Sequence, residues 1–357
     1  MAEICLELKD IRKSFEKETD VLKGISLAIG KGEFITLLGS SGCGKTTTLR
    51  IVAGLTAPDG GRVLLDGADI TALPPEKRDV NTVFQSYALF PHMNVGKNIA
   101  YGLRLRGMNR SERERRVQEM LRLVALEGFE GRMPSQLSGG QRQRIAIARA
   151  LVLEPKLLLL DEPLGALDLK LRQQMQRELK DIQKRSGIAF LYVTHDQEEA
   201  LNLSDRIAIM RDGLIEQVGA PEDIYERPQT RFAAEFIGQS NFLPCEVAEA
   251  GSGVPVLACA GRRFPGRAGY PDLRAGDSVE VCLRIERVRL SRAPIGPCAL
   301  PGVLKSRHYA GGSIRETAVL PNGQEVFAIQ QSSGEERLEE GENIYVCWDP
   351  NEAALVR

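Results

Sequence analysis

The sequence predicts an α/β domain built on a phosphate-binding loop, followed by a small all-β barrel. Three observations carry that expectation. Up to Phe236, short apolar runs of strand length alternate with helical patterns. Within that part, Gly39-Ser40-Ser41-Gly42-Cys43-Gly44-Lys45-Thr46 fits G-x-x-x-x-G-K-[ST], with an apolar strand before it and a helix after. Past residue 240 the pattern changes to short β-rich runs separated by Gly and Pro turns such as Pro321-Asn322-Gly323. The expected domains are therefore 1–236 and 240–357.

Composition narrows the function classes. A chain of 357 residues exceeds one ordinary domain. With 43% hydrophobic and 27% charged residues it is neither disordered nor fibrous. Its 47 Lys and Arg against 48 Asp and Glu give a formal net charge of −1, which argues against a chain that wraps nucleic acid. No apolar run approaches the roughly 18 residues needed to cross a bilayer. The start, Met1-Ala2-Glu3-Ile4-Cys5, lacks the regions of a signal peptide. The seven cysteines are scattered singly, so neither disulfides nor zinc are expected. These features point to a soluble cytoplasmic protein of two domains.

The elements follow in order. Residues 33–38 read as a strand running into the Gly-rich turn, and 157–160 and 188–193 as fully buried parallel strands. Ser111 with Glu114 makes a capping box for a helix whose inner face is Val117, Leu121 and Val124, and the charge run 110–116 is its solvated side. A helix over 169–185 places Leu171, Met175, Leu179 and Ile182 on one face and stops at Gly187. The barrel strands are expected at 278–290, 303–305, 316–320, 325–329 and 343–348.

The loop has a definite chemistry. Its glycines let backbone N–H groups curl around phosphates, with Ser40, Ser41, Cys43 and Thr47 completing the cradle. Lys45 reaches the outer phosphate oxygens, Thr46 offers its hydroxyl to Mg²⁺, and the helix dipole faces the anion. Cys43, at the helix start, is expected to have a lowered thiol pKa. Such a loop needs an acid at the end of a buried strand. Leu157-Leu158-Leu159-Leu160-Asp161-Glu162 supplies Asp161 to hold the metal through water and Glu162 to polarise the attacking water. Ser138-Gly139-Gly140 starts a helix running through about Leu153 and makes a second anion-binding terminus. One ATP has no use for two such termini from one chain unless two chains share it.

Leu137-Ser138-Gly139-Gly140-Gln141, placed between the loop and Asp161-Glu162, resembles the signature of the ABC transporter ATPases. Other marks of that family follow in order. Gln85, in Val83-Phe84-Gln85-Ser86, resembles the Q-loop glutamine that touches the metal and signals to the transmembrane partner. Leu164-Gly165-Ala166-Leu167-Asp168 resembles the D-loop, with Gly165 where the family more often has Ser. His195 resembles the switch histidine on the γ-phosphate, and Phe15 the aromatic that stacks on adenine. The resemblance implies a P-loop NTPase fold with a helical subdomain inserted at about 86–154. It also implies ATP and Mg²⁺ as ligands and a homodimer in which residues 137–141 act on the opposite chain's nucleotide. Two transmembrane permease subunits, an extracytoplasmic solute-binding protein and a peripheral place on the cytoplasmic face of the membrane complete the picture, with no role for nucleic acid.

Residues after Asn241 resemble the OB-like (TOBE) regulatory barrel of importers in the maltose, polyamine and ferric-ion group, most clearly at Cys282-Leu283-Arg284-Ile285-Glu286-Arg287-Val288. The family usually has Pro-Glu-His there, and this chain has Glu286-Arg287-Val288. The barrel either binds a regulator or pads and dimerises the subunit. The run 77–93 looks most like the polyamine (spermidine/putrescine) branch, with the ferric-ion and aminoethylphosphonate branches close to it. A different class, a soluble ABC ATPase on DNA or ribosomes, would show a long coiled coil or a second phosphate loop, and the sequence has neither. A nucleotide or sugar kinase would share the loop but has no use for residues 137–141.

Overall fold

Apolar runs without a polar face are stable only in a sheet covered on both sides, and the first part of the chain is built on one. The computed structural model describes residues 3–16, 19–85, 87–165, 168–250, 253–270, 272–332 and 337–356. It divides into units 1–221 and 222–357.

The first unit opens with a long antiparallel pair, β1 (Ile4–Glu16) and β2 (Thr19–Gly30). Strand β3 (Phe34–Gly39) runs into helix α1 (Lys45–Val52). Then come β4 (Gly60–Leu65), β5 (Ala68–Asp69) and β6 (Val80–Val83). Helices α2 (Val95–Leu105), α3 (Arg110–Leu123) and α4 (Gly139–Leu151) are inserted before β7 (Leu157–Asp161). The unit continues through α5 (Leu169–Ser186), β8 (Ala189–Thr194), α6 (Gln197–Leu203), β9 (Arg206–Arg211) and β10 (Leu214–Gly219). One sheet has the order β2-β1-β4-β5; the central one has the order β10-β9-β3-β8-β7-β6 and is parallel except for its β10 edge.

Alternation along the central strands builds two cores. Phe34, Leu158, Leu160, Phe190 and Tyr192 face one way, packing with Ile99, Leu121, Ile145 and Leu179 of the helices. Ile35, Leu37, Leu157, Leu159, Leu191 and Val193 face the other way, onto Leu49 and Ile51 of α1 and Leu6 and Ile29 of the antiparallel sheet. Parallel register (Leu38 opposite Thr194, Asp161 opposite Val193, Val83 opposite Leu160) brings the carboxyl ends of β3, β6, β7 and β8 to one edge. Ligands of open α/β sheets bind at that edge.

The second unit takes helix α7 (Pro221–Glu226) from Glu222 on, and α8 (Arg231–Ile237). Its strands are β11 (Ser240–Glu249), β12 (Val256–Cys259), β13 (Arg262–Pro265), β14 (Ser278–Arg284), β15 (Arg289–Ser291), β16 (Cys298–Tyr309), β17 (Ser313–Val319), β18 (Glu325–Gln331), β19 (Asn343–Trp348) and β20 (Ala354–Val356). They form two antiparallel five-stranded sheets, β13-β12-β11-β14-β20 and β15-β19-β16-β17-β18. Leu243, Leu257, Val281, Leu300 and Val346 share their core, where Phe264 meets Trp348 edge-on with ring centres 5.1 Å apart.

Several expectations need adjustment. The units part at 221/222 rather than near 236, because buried Arg284 donates to the carbonyls of Tyr225 and Ala234 and to Ser240 Oγ, tying both short helices to the strands. The run 278–290 is two strands, broken by a 3₁₀ turn at Ile285–Arg287. Helix α3 is capped by Asn109, whose side chain accepts the Glu112 N–H, and not by Ser111. Its charge run does face solvent, paired as Arg110–Glu114 and Arg115–Glu112, and Gly187 ends α5 in a left-handed conformation, φ 67°. Among the described residues no helix is long and apolar enough to cross a membrane, and all seven cysteines are free and buried.

The capping assignment is testable. Asn109→Ala should cost about 1 kcal/mol in urea unfolding, the usual loss of an N-cap side chain, and Ser111→Ala a few tenths. Equal losses, or a larger one at Ser111, would contradict the assignment.

Candidate active site

The phosphate loop connects β3 to α1. Gly44 begins the helix in the left-handed region, φ 105°, and a Cβ there would sit 2.5 Å from Leu22 Cδ2 and 3.0 Å from Val21 O. Glycine is therefore required both by conformation and by space. Lys45 is 6% exposed, and its Nζ donates to Gly39 O (2.7 Å) and Ser40 O (2.8 Å). Among the described residues this ammonium has no carboxylate partner. An isolated buried charge is costly, and the polar groups next to it are the loop's own.

Cys43 corrects an expectation. It is buried, and that burial pushes its thiol pKa up, against the opposing effect of Lys45. Here desolvation outweighs the Lys45 charge and the local hydrogen bonds, so Cys43 is a packed side chain rather than an activated thiol.

Across the strand edge, Thr46 Oγ1 lies 3.4 Å from Asp161 Oδ1 at the end of β7. Burial, then the adjacent Glu162, raises the Asp161 pKa, and the Thr46 hydroxyl works against the shift. Glu162 has a left-handed backbone, φ 44°, and its N–H is held by Val193 O at 3.0 Å. Its Oε1 is 3.1 Å from His195 Nδ1. Gln85 is exposed just past β6, and a Cβ on Gly165 would come within 3.5 Å of its Nε2. The sheet thus gathers 39–47, Gln85, Asp161, Glu162 and His195 along one edge.

Other expected residues stand apart from that set. Ser138 caps α4, accepting from Gln141 N while Gln141 Oε1 accepts from Ser138 N, a reciprocal capping box. Gly140 lets α4 lie against α5, since a Cβ there would meet Met175 Sδ at 2.9 Å. Asp168 caps α5 through Leu171 N. Ser86, Ala166 and Leu167 lie outside the described residues. Phe15 is 61% exposed on β1, with the Lys13 ammonium 5.5 Å from its ring centre.

One network escaped the sequence reading. Glu199 is buried and accepts hydrogen bonds from Tyr192 OH (2.6 Å) and Thr194 Oγ1 (2.8 Å), bracing the strand end that carries His195. Burial raises its pKa, while the two hydroxyls oppose the shift. The available signal was Asp196 followed three residues later by Glu199; Asp196 does cap α6.

The donors suit a hard cation. Thr46 and Asp161 present oxygens at one point, and no cluster of three or more His, Cys, Asp or Glu able to hold a metal exists among the described residues. The two oxygens of Thr46 and Asp161 fit a cation such as Mg²⁺, which takes one or two protein oxygens together with substrate phosphates.

A buried lysine under a glycine-rich loop, facing a strand-end acid, defines a phosphate-loop nucleotide hydrolase. Residues 22–165 match the ABC transporter family model, and 281–356 match that of the TOBE domain. The chain is 49% identical to the spermidine/putrescine import ATP-binding protein PotA of Frankia alni, over 98% of this chain and 79% of that one. It is 47% identical to the protein of that name from Rubrobacter xylanophilus, over 99% and 94% of the two chains. Among solved structures it resembles the dimeric ATP-binding cassette MJ0796 bound to ADP and Pi, with 34% identity and a TM-score of 0.53 over 60% of this chain and 98% of that one. CbiO1 of Clostridium perfringens, part of the ABC transporter complex cbiONQ, matches at 29% identity with a TM-score of 0.59 over 66% and 93%. The chain belongs to the ABC transporter ATP-binding proteins and, within them, to the spermidine/putrescine import ATP-binding family. It is an ATPase and a motor subunit of an ABC transporter.

The raised Asp161 pKa has a consequence for stability. A carboxyl whose folded pKa exceeds its unfolded value weakens the fold once ionised, so this penalty grows as pH rises through the folded value. Without nucleotide, Asp161→Asn should melt above the wild type at pH 7, and the gap should close as pH falls through the folded value toward the unfolded one. A lower melting point for Asp161→Asn at pH 7 would contradict the burial account.

Proposed function

We propose that this chain drives polyamine uptake as the ATPase of an importer, working as a homodimer on the cytoplasmic face of the membrane beneath two permease subunits. An extracytoplasmic solute-binding protein would deliver the solute. The observation that carries the reading is Lys45, a buried ammonium surrounded by loop carbonyls and without a carboxylate partner among the described residues. A nucleotide's terminal phosphates supply the missing negative charge. The solute is suggested by the names of relatives 46–49% identical over most of this chain. Ferric ion and 2-aminoethylphosphonate are the alternative solutes.

In this reading residues 39–47 cradle the phosphates and Phe15 stacks on adenine. Thr46, Asp161 and Gln85 would hold Mg²⁺, which neutralises phosphate charge when bound. Glu162 accepts the proton of the attacking water, and His195, in contact with Glu162 Oε1 at 3.1 Å, holds that carboxylate and the γ-phosphate in register. Residues 137–141 of one chain close on the nucleotide of the other, with Asp168 beside the seam. The capped start of α4, whose hydrogen bonds among the described residues stay within 138–142, leaves that helix end available to a second chain. Closure and reopening of the pair would then move the permease helices.

Glu162→Gln keeps the side chain's shape and removes the base. Hydrolysis should drop by about 10²–10⁴-fold, with ATP still bound. The chain should accumulate as an ATP-dependent dimer, seen as a doubling of mass on size-exclusion chromatography with ATP and not with ADP. A variant that hydrolyses ATP within a few-fold of wild type would sink the assignment.

A further inference from the structure

Two residues past Gln85 the backbone holds a conformation that the sequence does not favour. Tyr87 and Ala88 both lie in the left-handed region, with φ of 59° and 42°. Residues with a Cβ occupy that region sparsely, and two in succession persist only where the surroundings hold them. Two side chains do so. Arg149, on α4, donates from Nη1 to Ala88 O (2.8 Å) and from Nη2 to Tyr87 O (3.2 Å). Its guanidinium also lies 5.4 Å from the ring centre of Phe90. Tyr87 is itself buried, and its hydroxyl donates to Pro163 O at 3.1 Å. Pro163 follows Glu162, which has its own left-handed backbone, φ 44°.

We propose that Tyr87 and Arg149 are positioning residues for Gln85, forming a clasp that ties residues 87–88 to the Glu162 turn on one side and to α4 on the other. The proposal rests on the reading of Gln85 given above and adds what fixes that side chain. Arg149 suits the task because its planar fork serves two adjacent carbonyls at once, which an ammonium cannot do in the same geometry. Tyr87 suits it because a buried hydroxyl needs a partner, and Pro163 O is the one it has. Helix α4, capped by Ser138, carries Arg149, so a shift of that helix pulls on the carbonyls of Tyr87 and Ala88. None of these contacts involves the loop 39–47. Loosening the clasp therefore leaves phosphate binding in place and misplaces Gln85 relative to Glu162.

The test uses the full chain with two mild substitutions. Tyr87→Phe removes one oxygen and keeps the ring; Arg149→Lys keeps the charge and loses the fork. Each should lower kcat by about ten- to a hundredfold, the scale of a small misplacement at a reacting centre, with KM for ATP little changed. Limited proteolysis without nucleotide should cut faster within 84–90 in both variants and no faster elsewhere. The double variant should lose no more than the worse single one, as residues of one device do. Wild-type kcat in Tyr87→Phe, a loss expressed mainly in KM, or unchanged proteolysis would overturn the proposal. If Arg149→Lys does not fold, Tyr87→Phe decides alone. A wild-type chain without ATPase activity would instead defeat the functional reading, whereas an active wild type with a dead Glu162→Gln and a normal Tyr87→Phe would defeat only the clasp.

Discussion

Lys45 keeps its ammonium beneath the turn that follows β3, with carbonyl oxygens of its own loop as partners and 6% of its surface exposed. A lone charge so placed weakens the fold unless something offsets it. Among the described residues no ion pair holds it; around it are a helix start, glycines that bare the backbone, and the strand-end Asp161, whose own charge is resisted by burial. The chemistry that suits Lys45 is a group bringing negative charge, and the chemistry that suits Asp161 is a cation. The remaining architecture follows from keeping these two groups in place.

The six-stranded sheet does most of that work. Because β3, β7 and β8 are parallel neighbours in register, the loop, Asp161 with Glu162, and His195 emerge at one edge. Alternating side chains load one face with the inserted helices and the other with α1 and the antiparallel sheet. The acidic pair is placed by backbone rather than by flexible linkers: Glu162 sits in a left-handed conformation that its N–H bond to Val193 O maintains. Glu199 braces Thr194 from below in the same way. Residues 137–141 are handled differently. Their helix start is self-capped through Ser138 and Gln141, and in the proposed reading it serves the nucleotide of a second copy.

Much of this was legible in the sequence. The loop, the β7 run and the 169–185 helix each carry a local signal whose physics is complete within a few residues: glycine geometry, uninterrupted apolarity, a 3.6-residue stripe with a glycine stop. What was not legible depends on partners distant in sequence. Ser111 had the right neighbour at Glu114 but lost the cap to Asn109, one turn choice among several with similar local energy. Cys43 was misjudged because a helix start argues for a lowered pKa, while its burial, invisible locally, argues more strongly the other way. The strands over 240–265 and the unit boundary at 221 escaped because Arg284, more than forty residues on, is what binds α7 and α8 to the second unit. Tyr87 and Arg149 were unreadable for the same reason, being 62 residues apart.

The central claim is that one chain carries two half-sites, a phosphate loop governed by Lys45 and a helix start governed by Ser138, completed only by a second copy. The most direct measurement mixes Lys45→Ala chains with Ser138→Arg chains and follows dimer-bound ATP and its hydrolysis. Each homodimer has two defective sites, whereas a mixed dimer has one site with both halves intact. The account predicts ATP trapped in a dimer, and hydrolysed, in the mixture and in neither variant alone. Dimer-bound ATP and hydrolysis in the mixture no greater than in either variant would contradict it.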